Sequence, residues 1–196
     1  IHINALQRFY FIDDFNRDHL IKIDSNIIII YRNYKEKNNE KKIFEIKKFC
    51  KKIGKKFFLA NNVNLTIKLR LDGAYIPSFN KDISVKKLRN KGIPILGSAH
   101  NLKEINEKIK QGIQIIFLSP LFKVEKSNKF LNIIKFNIHS KLFPGDVVAL
   151  GGIRKNNINR IKILNCFGFA SISYIKTSIK NESKFEKFKK KVEQLF

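Results

Sequence analysis

Short apolar runs return along the chain at regular intervals, and each is followed by a polar, lysine-rich stretch whose apolar residues stand three and four apart. The first pattern is that of a strand, the second that of an amphipathic helix. Strands are predicted at Phe9 to Ile12, Asn26 to Tyr31, Lys56 to Ala60, Gly73 to Ile76, Ile95 to Ser98, Ile115 to Leu118, Asp146 to Leu150 and Phe169 to Ile172. Helices are predicted at Ile43 to Ile53, Val63 to Leu69, Ile83 to Lys91, Leu102 to Gln111, Leu131 to His139 and Asn156 to Leu164, with a last one at Lys184 to Phe196. The connection from Phe15 to Ile23 is too short for a long helix.

Runs such as Ile27-Ile28-Ile29-Ile30 and Ile115-Ile116-Phe117-Leu118 are apolar on both faces, as parallel strands covered by helices must be. Eight such units in 196 residues predict an α/β fold, a small (β/α)8 TIM barrel in which residues 1–196 form a single domain. An open doubly wound sheet is the alternative, but it usually has fewer strands at this length. Gly54 and Gly112 follow helices, Gly92-Ile93-Pro94 breaks the chain before the fifth strand, and Pro144-Gly145 turns it before the seventh.

Composition narrows the class further. Lys plus Arg number 40 against 16 Asp plus Glu, a net charge of +24, yet 43% of residues are hydrophobic, which argues against a disordered polyelectrolyte. The longest apolar run is the five residues Ile27 to Tyr31, far short of a membrane span. Cys50 and Cys166 cannot form a disulfide scaffold and are expected to be reduced, on apolar helix faces. The basic residues are spread along the whole chain, the pattern of a solvated surface, so nucleic acid is not the expected partner. In the dense run Lys184 to Lys191 and its continuation, Phe185, Phe188, Val192 and Leu195 share one helical face that would dock on a core. No charged-then-apolar leader is read at Ile1, and the cytoplasm is the expected compartment.

In a barrel of this kind ligands bind at the C-terminal ends of the strands. The residues there are Asp13 and Asp14, Arg32, Asn61 and Asn62, Ser78 to Asn80, Ser98 and His100, Ser119 to Lys129, Gly151-Gly152, and Ser173. Carboxylates are nearly absent after the first strand, so paired acid–base chemistry has little support. His100 is expected as a packing residue at a helix entry, and the loop lysines read equally well as solvated. The sharpest signal is Ala149-Leu150-Gly151-Gly152-Ile153, a strand running into two glycines, with a helix expected to open near Asn156. Glycines let backbone N–H groups approach an anion, and a helix start adds a positive dipole; with Ser173 after the eighth strand this is a phosphate cradle. Glycines that merely turn a tight corner are the other reading.

From Phe57 to Ile175 the ordered motifs resemble thiamine phosphate synthase and the TenI-like barrels. They are Phe57-Phe58-Leu59-Ala60-Asn61-Asn62, Asp72-Gly73-Ala74-Tyr75-Ile76-Pro77, Gly97-Ser98-Ala99-His100, Ser119-Pro120-Leu121-Phe122-Lys123-Val124-Glu125-Lys126, Leu150-Gly151-Gly152-Ile153 and Gly168-Phe169-Ala170-Ser171-Ile172-Ser173. Upstream, Ile30-Tyr31-Arg32-Asn33-Tyr34 stands where the family has Gln-x-Arg-Glu-Lys. The resemblance implies that hydroxymethylpyrimidine diphosphate and hydroxyethylthiazole phosphate are joined with loss of diphosphate, and that the work is electrostatic. It implies Arg32, Ser98 and Lys126 as the catalytic set, and Gly151, Gly152, Ile172 and Ser173 as the holders of the substrate phosphate. It also implies Mg²⁺, held at the family's two Asp positions, which here are Asn61 and Asn80. Neutral amides supply no charge to a metal, so diphosphate binding would lean on Lys123, Lys126 or Lys129. A TenI-type tautomerase would carry a His where Pro120 stands. Three readings follow: a synthase with an altered diphosphate site, a degenerate barrel that binds a phosphorylated ligand without turnover, and a basic RNA-associated protein. Small phosphorylated molecules are the expected partners, no membrane is, and a homo-oligomer is left open.

Overall fold

The structure, a computed structural model, describes residues 3–35, 39–125 and 127–177. Among these, the strands β1 (Gln7–Ile12), β2 (Ile27–Tyr31), β3 (Phe57–Ala60), β4 (Gly73–Ile76), β5 (Ile95–Ala99), β6 (Ile115–Leu118), β7 (Asp146–Leu150) and β8 (Gly168–Ala170) close in sequence order into a barrel. Every pairing is parallel, and β8 returns to β1 with Ala170 opposite Phe9. The predicted TIM barrel is the observed fold.

The helices that cover it are α1 (Arg17–Ile21), α2 (Glu40–Lys52), α3 (Val63–Lys68), α4 (Lys87–Asn90), α5 (Leu102–Lys110) and α6 (Asn132–Ser140), followed by a helical segment over 172–177. Asparagine sets several of their starts: the side chains of Asn16, Asn39, Asn62 and Asn101 accept first-turn N–H groups of α1, α2, α3 and α5. A side-chain oxygen at that position satisfies donors the helix itself cannot.

Alternation along each strand divides the core in two. Phe9, Phe11, Ile30, Phe58, Ala60, Tyr75, Leu96, Phe117, Val148 and Ala170 fill the barrel interior. Their neighbours in sequence, among them Ile29, Phe57, Ile76 and Ile116, point outward beneath the helices. The interior is aromatic near its mouth. Phe117 meets Phe9, Phe11 and Tyr75 edge to face with ring centroids 5.0, 5.7 and 5.5 Å away, and Phe11 meets Tyr75 at 5.2 Å.

Four expectations are corrected. The segment predicted as a helix from Asn156 to Leu164 is a 3-10 helix, Ile158–Ile163, because Ile158 and Ile161 are both buried and a three-residue repeat stacks them on one side. The helix predicted over Ile83 to Lys91 splits into a 3-10 turn, Ile83–Lys86, and α4, the first turn capped by Asp82. Strand β8 ends at Ala170, so Ile172 begins a helix instead of ending a strand. Cys166 lies in the connection before β8, packed at the edge of the core, and not on a helix; Cys50 is buried on α2, and both are free thiols. The predicted helix at Lys184 to Phe196 lies outside the described residues. No helix among the described residues is long and apolar enough to cross a membrane.

Phe117 touches every other ring of the mouth-side plug, and its truncation leaves a void that neighbours held by strand pairing cannot close. Phe117→Ala is expected to lower the unfolding free energy by about 3–5 kcal/mol, read as a shift of the urea midpoint at unchanged slope; a loss below about 1 kcal/mol would mean that the interior is not close-packed there.

Candidate active site at the barrel mouth

Arg32 follows β2 directly, and its backbone N–H donates to the Ile12 carbonyl at 2.7 Å, which fixes it over the end of β1. Its guanidinium lies 4.4 Å from the centroid of the Phe11 ring, a cation held on an aromatic face. Ser98 on β5 is buried inside the barrel, and both Ser98 and Arg32 lie beside the phenol of Tyr75. Burial holds that phenol above the ordinary tyrosine range, against the opposing pull of Ser98 and Arg32. Tyr34, half-exposed on the rim, is also pushed up, by partial desolvation of its hydroxyl first, then by Tyr75 and against the pull of Arg32. Both phenols therefore stay protonated at neutral pH and can donate. On the rim, Tyr34 stacks edge to face on Phe79 at 5.4 Å.

Asn61 and Asn80, at the ends of β3 and β4, meet directly: Asn80 Nδ2 donates to Asn61 Oδ1 at 2.7 Å. Asn61 adopts φ 56°, a left-handed conformation that asparagine tolerates, and its N–H donates to Tyr75 O at 2.8 Å. The other oxygen of the pair, Asn80 Oδ1, accepts from the N–H of Asp82 at 2.8 Å. Mg²⁺ does not fit this donor set. Both amide oxygens are already acceptors, neither carries charge, and no cluster of three or more His, Cys, Asp or Glu that could hold a metal occurs among the described residues.

The β4 loop that carries Asn80 is gripped from below by a residue the sequence pattern did not single out. Lys108 on α5 is fully buried, and its ammonium donates to Pro77 O at 2.8 Å, Asn80 O at 2.7 Å and Gln111 Oε1 at 2.8 Å. Gln111 Nε2 adds bonds to Asn80 O and Asp82 O, each 3.0 Å. Burial pulls the Lys108 ammonium down to about 8, against the attraction of Glu107 and Glu104. The signal was present: Lys108 stands three residues after the buried Ile105, on the apolar face of its helix. Lys55 is buried in the same manner at the other end of the barrel, donating to Ile23 O and Asp24 O. A purely solvated lysine complement is thus corrected at these two positions.

On the opposite side of the mouth, Gly151 and Gly152 have φ of 91° and 71°. A Cβ on Gly151 would lie 2.8 Å from Pro120 Cβ, and one on Gly152 would lie 2.7 Å from Phe122 O. The tight-corner requirement is therefore real, since the β6 and β7 loops pass here in contact. The helix expected near Asn156 does not supply a dipole; Asn157 instead braces the glycine turn, donating to Gly152 O and accepting from Arg154 N–H, both at 2.8 Å. Ser171, also unforeseen, joins this turn to β8: its hydroxyl donates to Ile153 O at 2.6 Å and accepts from Tyr174 N–H at 3.1 Å, capping the segment 172–177. Ile172 and Ser173 stand in that first turn, whose N–H groups have no partner within a helix.

Arg32 and Ile172 line one cleft of about 490 Å³ with Asp13, Asp14, His19 and Lys176. Gly152 lines another, of about 460 Å³, with Lys123, Val124, Arg154 and Arg160. Lys126 lies outside the described residues. His100 is corrected: it is exposed, and its N–H and Nδ1 both meet Glu104 Oε2 at 2.8 Å, so it works with Asn101 to start α5 and is not a packing residue.

A family model described as thiamine monophosphate synthase matches residues 19–175. The thiamine-phosphate synthase of Prochlorococcus marinus subsp. pastoris is 31% identical over 157 residues, 74% of this chain and 45% of that protein. That of Clostridium perfringens is 25% identical over 171 residues, 82% of this chain and 80% of the relative. The chain thus spans less than half the length of the Prochlorococcus relatives it matches. Among solved structures, a thiamine phosphate pyrophosphorylase from Pyrococcus furiosus superposes with a TM-score of 0.71 at 19% identity, covering 86% of each chain, a likeness of fold.

Removing the clamp under Asn80 should be visible in stability and its pH dependence. Lys108→Met deprives Pro77 O and Gln111 Oε1 of a donor and is expected to cost about 1–3 kcal/mol at pH 7. The folded chain gives up the Lys108 proton near 8, whereas an unfolded lysine keeps it to about 10.4. Between those values the unfolded state binds more protons, so the Lys108 contribution rises with pH. Denaturation of both proteins across this window should give a widening deficit for Lys108→Met; a constant or narrowing one would contradict the buried ammonium.

Proposed function

The chain belongs to the thiamine monophosphate synthase family, whose model covers residues 19–175, and from that premise we propose that it joins hydroxymethylpyrimidine diphosphate to hydroxyethylthiazole phosphate in thiamine biosynthesis, releasing diphosphate. The bond from the pyrimidine methylene carbon to the diphosphate oxygen breaks with its electron pair leaving on oxygen, and the thiazole nitrogen lone pair forms the new C–N bond. Charge grows on the departing oxygens, so fixed donors aimed at them lower the barrier.

The observation that carries this reading is the cluster at the mouth: Arg32 held on Phe11, with Ser98 and the protonated phenol of Tyr75 beside it. These groups would bind the diphosphate and receive its charge. Lys123 or Lys129 on the β6 loop, or Lys126, would add the counter-charge that the Asn61–Asn80 pair cannot hold through Mg²⁺. The first-turn N–H groups of Ile172 and Ser173, together with the Gly151-Gly152 turn that Ser171 ties to them, would hold the thiazole phosphate. The expected setting is the cytoplasm and the expected partners are these small phosphorylated molecules. The amide pair also favours a second reading, in which the barrel binds the phosphorylated thiazole without forming the bond.

Calorimetric titration with hydroxyethylthiazole phosphate, followed by hydroxymethylpyrimidine diphosphate and assay for thiamine phosphate, separates the two. Product is expected from the wild type, reduced about 10²–10³-fold in Arg32→Ala. Thiazole phosphate affinity is expected to fall in Ser173→Asp, which sets a carboxylate against the anion. Binding without product would select the second reading, and no binding of either compound would overturn both.

A further inference from the structure

Two side chains that close a metal site and two that make it unnecessary differ here by a single atom each. A pair of carboxylates at the ends of β3 and β4 would face each other as acceptors, and only a cation between them would make the approach favourable. The amides of Asn61 and Asn80 need none, because one donates to the other at 2.7 Å.

The direction of that bond is fixed by chemistry around it. The Asp82 N–H can only donate, so it requires Asn80 Oδ1 on its side at 2.8 Å, which turns Nδ2 toward Asn61. Asn61 must then present its oxygen, and its backbone N–H is already anchored on Tyr75 O. Lys108 and Gln111 hold the Asn80 backbone carbonyl from below, which fixes the stretch of loop that carries the amide.

We propose that the Asn61–Asn80 hydrogen bond takes the place of a divalent cation, joining the β3 and β4 loops directly and making the mouth metal-independent. The inference deepens the phosphorylated-substrate reading of this mouth, for it states that the diphosphate is met by fixed side chains and not by a metal complex. It also makes a directional demand. Asn61 serves as acceptor only, so an aspartate there keeps the bond; Asn80 serves as donor, so an aspartate there abolishes it.

The test uses the full chain without substrate, so it answers for the amide pair even if the substrate titration fails. Thermal melts and calorimetric titration with MgCl2 are made on the wild type, Asn61→Asp, Asn80→Asp and the double variant, each also in chelator. The wild type is expected to melt at the same temperature with Mg²⁺ or chelator and to give no saturable Mg²⁺ heat. Asn61→Asp should keep its midpoint in chelator while Asn80→Asp loses several degrees. The double variant should gain a saturable Mg²⁺ response that restores its midpoint. Saturable Mg²⁺ binding by the wild type that disappears in Asn80→Ala would overturn the proposal, as would equal losses in the two single aspartate variants. Should the double variant fail to fold, the comparison of the two single variants decides.

Discussion

Closing eight parallel strands on one another leaves an interior that only side chains from alternate positions can fill, and everything at the mouth of this barrel rests on how that space is filled. The upper layer is made of large rings, Phe9, Phe11, Tyr75 and Phe117, packed edge to face. They make a floor as well as a core. Arg32 is placed by the face of Phe11, and Tyr75 sets its hydroxyl beside Ser98 and Arg32. A floor of smaller side chains would let water down to these groups and lower the value of each electrostatic contact.

The same molecule treats charge in two ways. With a net charge of +24, most of its cations need only solvent, yet Lys108 and Lys55 are buried and bind carbonyl oxygens that no helix or strand satisfies. The ammonium serves them because one group can donate three times. At the mouth the economy reverses, since Asn61 and Asn80 carry neutral amides that satisfy each other. Positive charge there is concentrated on Arg32 and on the loops, with neutral donors between.

Much of this was legible in the sequence because periodicity and register are coupled in a parallel barrel. Apolar runs such as Ile115 to Leu118 mark strands whose both faces are covered, and Gly73 to Ile76, Ile115 to Leu118 and Asp146 to Leu150 begin and end where the pattern places them. The ordered motifs located the ends of the strands and hence Arg32, Ser98, Asn61 and Asn80. What escaped was contact between segments distant in sequence. Lys108 reads as one more surface lysine until its helix is laid against the β4 loop, and Ser171 reads as a strand residue until β8 stops one position earlier. The 3-10 form of Ile158–Ile163 follows from two isoleucines three apart that must both be buried, a demand that periodicity alone does not separate from an ordinary helical turn.

The glycine turn after β7 has a consequence for how such a site can change over time. Pro120 and Phe122 occupy the volume that side chains at positions 151 and 152 would need, so the β6 and β7 loops fit only as a matched pair. Neither can be redesigned by drift alone while the other stays as it is. The β3 and β4 loops, joined through one hydrogen bond between side-chain amides, carry no comparable steric lock. Variation in what this barrel accepts should therefore accumulate on the β3–β4 side of the mouth, while the β6–β7 side is inherited as a block.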